Sequence, residues 1–270
     1  MDKNKSAYKL KNLPPIYYLN LDGQPERKKY MEDQFKYWEI ENYTRISAYD
    51  GRDGMDLGHI LKGRYPDMMN SGEVGCTTSH LKAIKYWYEN SDSPCAIMME
   101  DDCDLDTVKF WHFSWKDFYR SVPYAYDVIQ LAIISTTQIH VNMHRRFVND
   151  FSTACYMITR HHAEKLLRLH VRGEDLYKID NGVKPRAVSE DVILESGKTY
   201  TIPIFLYNLR FESTIHQEHI GIFHKAPHDA LLNYWQQAGA SIDIKDHMNY
   251  DPFLGRITEP SNRREENPPT

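Results

Sequence analysis

No apolar run in the 270 residues approaches the roughly 18 needed to cross a membrane as a helix. The opening Met1-Asp2-Lys3-Asn4-Lys5 has no apolar core and does not read as a secretory leader. Cysteine is scarce. Cys76, Cys95, Cys103 and Cys155 form no C-x-x-C pair, so neither a zinc ribbon nor a disulfide framework is expected. They read as the reduced thiols of an intracellular, cytoplasmic protein, either free or peripheral to a membrane. Positive charge is not in excess either. Against 38 Asp and Glu there are 33 Lys and Arg, a net charge of −5, which leaves no electrostatic case for a nucleic-acid partner. Internal repeats and low-complexity segments are also missing.

What the chain does have is one abrupt transition. Cys95-Ala96-Ile97-Met98-Met99 is short and apolar, bounded by Pro94, and reads as a buried strand. Directly after it come Glu100, Asp101, Asp102, Asp104 and Asp106. In open α/β sheets the crevice beyond the carboxyl ends of the strands is where ligands bind. Carboxylates packed this closely repel one another unless a cation or a ring of donors compensates them. Oxygen ligands of this kind suit Mg²⁺ or Mn²⁺. A solvated acidic turn is the plainer alternative, and a short motif alone does not decide between them.

The flanking sequence supplies an α/β frame. Residues 1–14 are polar, end at Pro14-Pro15 and read as a frayed lead-in. Ile16–Leu21 is a strand candidate. A helix follows from about Pro25, with Tyr30, Met31, Phe35 and Trp38 on one face. Tyr43–Ile46 is a second strand, and Ala48–Gly54 is a loop. Thr78 or Ser79 is expected to cap a helix running to about Asn90. Further strands are expected within Asp127–Ile134, Phe151–Thr159 and Ile202–Tyr207, with helices over Trp111–Arg120 and Arg160–His170. His161 and His162 are expected on the solvated face of the latter. Beyond about Phe223 the periodicity fades, and the tail 261–270 reads as disordered. The strand–helix order predicts a Rossmann-like α/β domain with a mainly parallel mixed sheet flanked by helices. It occupies about 15–224, divided near 110, with 225–270 as an extension.

Four elements then occur in order: Ile16–Leu21 followed by Arg27; Ala48-Tyr49-Asp50-Gly51; Gly75-Cys76-Thr77-Thr78-Ser79-His80; and Glu100-Asp101-Asp102. Together they resemble the I-N-L strand with its downstream Arg, the A-x-D-G loop, the G-C-x-x-S-H helix start and the E-D-D strand end of glycosyltransferase family 25. That family includes bacterial lipooligosaccharide galactosyltransferases and collagen hydroxylysine galactosyltransferases. The resemblance covers roughly residues 16–222. It implies a GT-A fold, a UDP-sugar donor, a glycan acceptor and a divalent metal, Mn²⁺ or Mg²⁺.

The resemblance also implies roles. Asp102 would bind the metal, with Asp104 as an added acidic ligand, and Glu100 would lie nearer the ribose, beside Asp101. Asp50 would accept from ribose or base, against the alternative of an Asx turn with Gly51. Arg27 would face the diphosphate or support the helix start. His80 would hold the acceptor or the loop, and Ser79 would cap the helix. Ser189-Glu190-Asp191 resembles an x-E-D element in which Asp191 is the base of an inverting transfer and Glu190 supports the acceptor. First-turn carboxylates also favour helix starts without any catalytic role. His216 and His219, in Ser213–His219, are candidate third metal ligands. One departure stands out: Phe151–Thr159 lacks the glycine that the family usually carries before its A-K-x-L helix.

Transfer from a nucleoside diphosphate needs a grip on the donor, neutralisation of the departing diphosphate, and a carboxylate to take the acceptor proton. The same acidic strand end also suits a metal-dependent phosphoryl hydrolase, or a nucleotide- or glycan-binding module without turnover.

Overall fold

A computed structural model describes residues 7–135, 139–179, 187–211, 224–248, 250–251 and 256–257. The strands are β1 (Ile16–Asn20), β2 (Tyr43–Ser47), β3 (Cys95–Glu100), β4 (Cys103–Asp104), β5 (Val128–Gln130), β6 (His144–Arg145), β7 (Cys155–Thr159), β8 (Thr199–Thr201) and β9 (Leu206–Tyr207). The helices are α1 (Pro25–Tyr37), α2 (Ser71–Asn90), α3 (Trp115–Ser121), α4 (Arg160–His170) and α5 (Lys225–Ala238). Seven strands form one sheet in the order β2-β1-β3-β7-β5-β8-β6. β4 pairs separately with β9.

The architecture is the expected mixed α/β sheet flanked by helices, consistent with a Rossmann-like fold. Its balance differs from the mainly parallel sheet predicted. β1 runs parallel to β2 and β3, and β5 parallel to β8. β7 is antiparallel to both β3 and β5, and β6 to β8. Parallel pairing therefore dominates only in the first hundred residues, where each strand returns through a helix.

Alternation along the strands explains the layering, because successive side chains point to opposite faces of a sheet. Ile16, Tyr18, Ile97, Met99, Cys155 and Met157 join one core cluster with Met31, Phe35 and Trp38. Tyr17, Leu19, Ala96, Met98, Tyr156 and Ile158 join the other, with Val74, Leu81, Ile84 and Trp87 of α2 and Ala163 and Leu166 of α4. Both faces are covered. That is why β3 reads as an unbroken apolar run and not as an alternating one.

Both chain ends contribute more than expected. Within the lead-in, Ala7–Leu10 form a 3₁₀ turn, with Leu10 in the core and Lys9 buried. The Lys9 ammonium donates to the carbonyls of Val108 (3.1 Å) and Lys109 (3.2 Å). In the supposed extension, α5 buries Leu231 and Trp235. The Trp235 indole donates to the Pro203 carbonyl at 3.1 Å. Spacing of i and i+4 was the available signal for this helix. His162 is another correction: it is fully buried, bonded to the Ile193 carbonyl at 3.0 Å, while His161 is exposed.

Candidate active site

A cleft lies at the carboxyl ends of β1, β2 and β3. Its walls include Asn20, Arg27, Tyr49, Cys76, Ser79 and Glu100. The four sequence elements meet here, and each is held for a physical reason.

The loop after β2 lies backbone-to-backbone on α2. A Cβ on Gly51 would sit 2.0 Å from the Ser71 carbonyl oxygen, and one on Gly75 would sit 2.8 Å from the Tyr49 carbonyl oxygen. Both glycines of the two motifs are thus explained by close approach. Polar bonds fasten the same contact. The Tyr49 amide donates to Ser79 Oγ (2.8 Å), and Ser71 Oγ donates to the Gly51 carbonyl (2.6 Å). Ser79 is therefore not a helix cap. α2 begins eight residues earlier than Ser79, at Ser71, under an Asn70/Glu73 capping box. Ser79 is a buried mid-helix clamp on the loop.

Asp50 is turned toward its own loop. It accepts the Arg52 amide at 3.0 Å and the Arg52 guanidinium at 2.5–3.1 Å. The Asx-turn reading is thus realised, completed by an ion pair with a residue that lines the cleft.

Asp101 is buried and engaged. Arg27 donates to it from Nε (2.6 Å) and pairs through Nη2 (2.5 Å), while Asn20 Nδ2 donates at 2.7 Å. Arg27 also reaches Asp102 at 3.2 Å and lies over the Phe211 ring, 5.2 Å from its centroid. The Asn of the first motif, its downstream Arg and the middle acid of E-D-D thus form one buried knot. Burial works against the Arg27 charge, but Asp102, Asp101 and Glu100 together raise its pKa.

Glu100 and Asp102, two apart, are placed differently. Glu100 Oε1 is bonded to His80 Nε2 (3.2 Å) and accepts from Thr153 Oγ1 (2.8 Å). Burial alone would raise its pKa, yet the His80 and Thr153 contacts and nearby Arg27 hold it below the usual carboxylate range. His80 is itself fully buried, its Nδ1 3.0 Å from the Tyr156 hydroxyl. It orients Glu100 and is not presented to an acceptor. Asp102 Oδ1 is buried and, among the described residues, has no hydrogen-bond partner. Burial pushes the Asp102 carboxyl up; Arg27 pulls it down and Glu100 and Asp101 push it up again, to about 7. Asp104 takes the Asp106 amide at 2.7 Å, and burial raises its pKa too.

Glu190 and Asp191 lie in a single π-type turn, Glu190–Leu194, and not at the start of a regular helix. Glu190 Oε1 accepts the Ser152 amide at 3.0 Å. Ser189 Oγ lies 2.9 Å from Thr153 Oγ1, which completes the path Glu100–Thr153–Ser189 from the strand end to this turn. Asp191 is half-buried. The glycine-free loop carries its own answer to the missing residue: Ser152 adopts φ +91°, in the region that favours glycine. His216 and His219 lie outside the described residues.

Asn20, Cys76, Thr153, Tyr156 and Ser189 were missed as site residues. Only Cys76 had a local signal, its i,i+4 spacing to His80. The others are joined to the site across 36 to 81 positions.

The model of "Glycosyltransferase family 25 (LPS biosynthesis protein)" matches residues 13–181, well over half of the chain. The chain belongs to glycosyltransferase family 25. Among solved structures, HddC from Yersinia pseudotuberculosis complexed with GMP-PN is similar at 11% identity and a TM-score of 0.33, over 72% of this chain and 92% of that one. No curated protein sequence gives a significant match. Among the described residues, no helix is long and apolar enough to cross a membrane.

Proposed function

We infer that this family member is a metal-dependent, inverting glycosyltransferase of the GT-A type. It moves a hexose or pentose from a UDP-sugar to a hydroxyl of a glycan. The observation that carries the reading is the contrast within Glu100-Asp101-Asp102. The middle carboxylate is consumed by Arg27 and Asn20, whereas Asp102 keeps a buried oxygen with no donor among the described residues. An uncompensated buried carboxylate oxygen is costly unless a cation meets it. The residues therefore fit a hard divalent ion, held by Asp102 with Asp104 beside it in sequence. Such an ion, Mn²⁺ or Mg²⁺, supplies Lewis-acid neutralisation of the diphosphate leaving group when bound.

The protein's own groups do the rest. Glu100, fixed by His80 and Thr153, is preorganised as an acceptor toward a ribose hydroxyl. Tyr49 and Arg52 line the same cleft. Asp191 takes the proton of the attacking hydroxyl, and Glu190 holds the turn through the Ser152 amide.

Thermal unfolding with a panel of UDP-sugars, with and without Mn²⁺, tests the donor site. A ligand at a hundred times its Kd adds about 2.7 kcal/mol. The expected result is a Mn²⁺-dependent rise with one UDP-sugar; no rise with any uridine nucleotide would overturn the donor assignment. Asp191→Asn is expected to keep that rise and lose transfer by at least about 100-fold. Retained turnover would remove Asp191 as the base.

A further inference from the structure

Beside the hard-cation position lies a cluster of different chemistry. Cys76 and His80 are four apart on α2 and so share one helix face. Glu100 ends the neighbouring strand. One ligand atom from each, Cys76 Sγ, a His80 ring nitrogen and a Glu100 carboxylate oxygen, lie within 4.8 Å of one another. We propose that Cys76, His80 and Glu100 form a thiolate–imidazole–carboxylate site for a borderline-soft divalent cation, Zn²⁺ by preference, distinct from the ion at Asp102.

Three arguments support it. The donor set is S, N and O, which suits Zn²⁺ and not Mg²⁺ or Mn²⁺, whereas Asp102 offers oxygen alone. An outer layer is already built. The Tyr156 hydroxyl contacts His80 Nδ1 at 3.0 Å, which orients the ring and directs Nε2 toward Glu100. Thr153 bonds Glu100 Oε1, and no hydrogen bond to Oε2 is seen among the described residues. Partners of this kind orient metal ligands and strengthen their binding. Finally, among the described residues the set has three protein ligands and not four, and Cys76 and Glu100 line the cleft. Its fourth position therefore opens where a substrate enters, as in sites with an exchangeable ligand. On binding, the Cys76 S–H bond gives way to a sulfur–metal bond and the proton passes to solvent. Occupancy would obstruct the cleft whatever ligand the cleft takes, so the site acts as a brake set by Zn²⁺.

The test is Co²⁺ titration of the metal-free full chain, which needs no nucleotide and is blind to the donor assignment. The expected result is a near-ultraviolet thiolate-to-cobalt absorption saturating at one equivalent and abolished by Zn²⁺. Cys76→Ser is expected to remove the band. Tyr156→Phe, which keeps the ring and deletes the hydroxyl, is expected to weaken Co²⁺ binding by about 10–100-fold. No band in the wild-type protein, or an undiminished band in Cys76→Ser, would overturn the proposal. So would unchanged Co²⁺ affinity in Tyr156→Phe.

Discussion

The two halves of the sheet are held by different means. From β1 to β3 the strands are parallel, joined by α1 and α2, and their carboxyl ends converge on one polar knot of Asn20, Arg27 and Asp101. From β5 onward the pairing is mostly antiparallel and the strands, β7 apart, are shorter; Trp235 closes onto Pro203 and the Ser189 turn onto Thr153. Both halves bury apolar side chains; the first adds the buried Arg27–Asp101 ion pair at its strand ends.

Two substitutions should break the halves apart most sharply. Arg27→Ala strands Asp101 as a buried charge and is expected to cost about 3–5 kcal/mol in denaturant unfolding. Trp235→Ala is expected to cost a similar amount, about 3–5 kcal/mol, by opening a cavity. A loss below about 1 kcal/mol for Trp235→Ala would show that α5 is not part of the domain core.

Gly51→Ala sharpens the comparison at the cleft. A methyl 2.0 Å from the Ser71 carbonyl forces the loop off α2, at about 1–3 kcal/mol, with nucleotide stabilisation lost as well. An alanine variant with wild-type Tm and ligand response would refute the close-packing argument.

The smallest effect concerns Asp102. Its pKa is raised, from 3.8 unfolded to about 7 folded, so between those values the folded state holds more protons than the unfolded state. Stability from this group is therefore present at low pH and lost as pH rises through about 7. Asp102→Asn should stabilise the metal-free protein at pH 8 by on the order of 1 kcal/mol, seen as a higher Tm, and leave it little changed near pH 4. Equal Tm values at pH 8 would show that Asp102 is not destabilised by burial.

Legibility followed the same division. α4 is visible residue for residue as Arg160–His170, and β1 through β3 lie where short apolar and β-branched runs put them. These signals are local. The start of α2 was misplaced although Asn70-x-x-Glu73 is a capping-box pattern, because Gly72 and Gly75 argue against a helix by propensity. For Gly75 the reason is tertiary, the loop pressed onto the helix. At the site, residue types in order revealed which motifs belong together. They did not reveal that Asp101 is spent on Arg27 while Asp102 keeps an unpartnered oxygen, since strand-end carboxylates look alike until their neighbours 74 and 81 positions away are in place. Buried His162 escaped for the same reason: its acceptor is 31 residues on.

Ser152 brings these strands together. This serine sits at φ +91°, a conformation that costs a side chain of order 1–3 kcal/mol. Its hydroxyl accepts the Ala154 amide and its own amide donates to Glu190, so the surroundings impose the shape. The loop is thus loaded like a spring between the strand end and the acid turn. Relaxing it with glycine would give a sturdier protein whose acid turn is less firmly aimed, a trade of robustness against aim that natural sequences often settle in favour of aim.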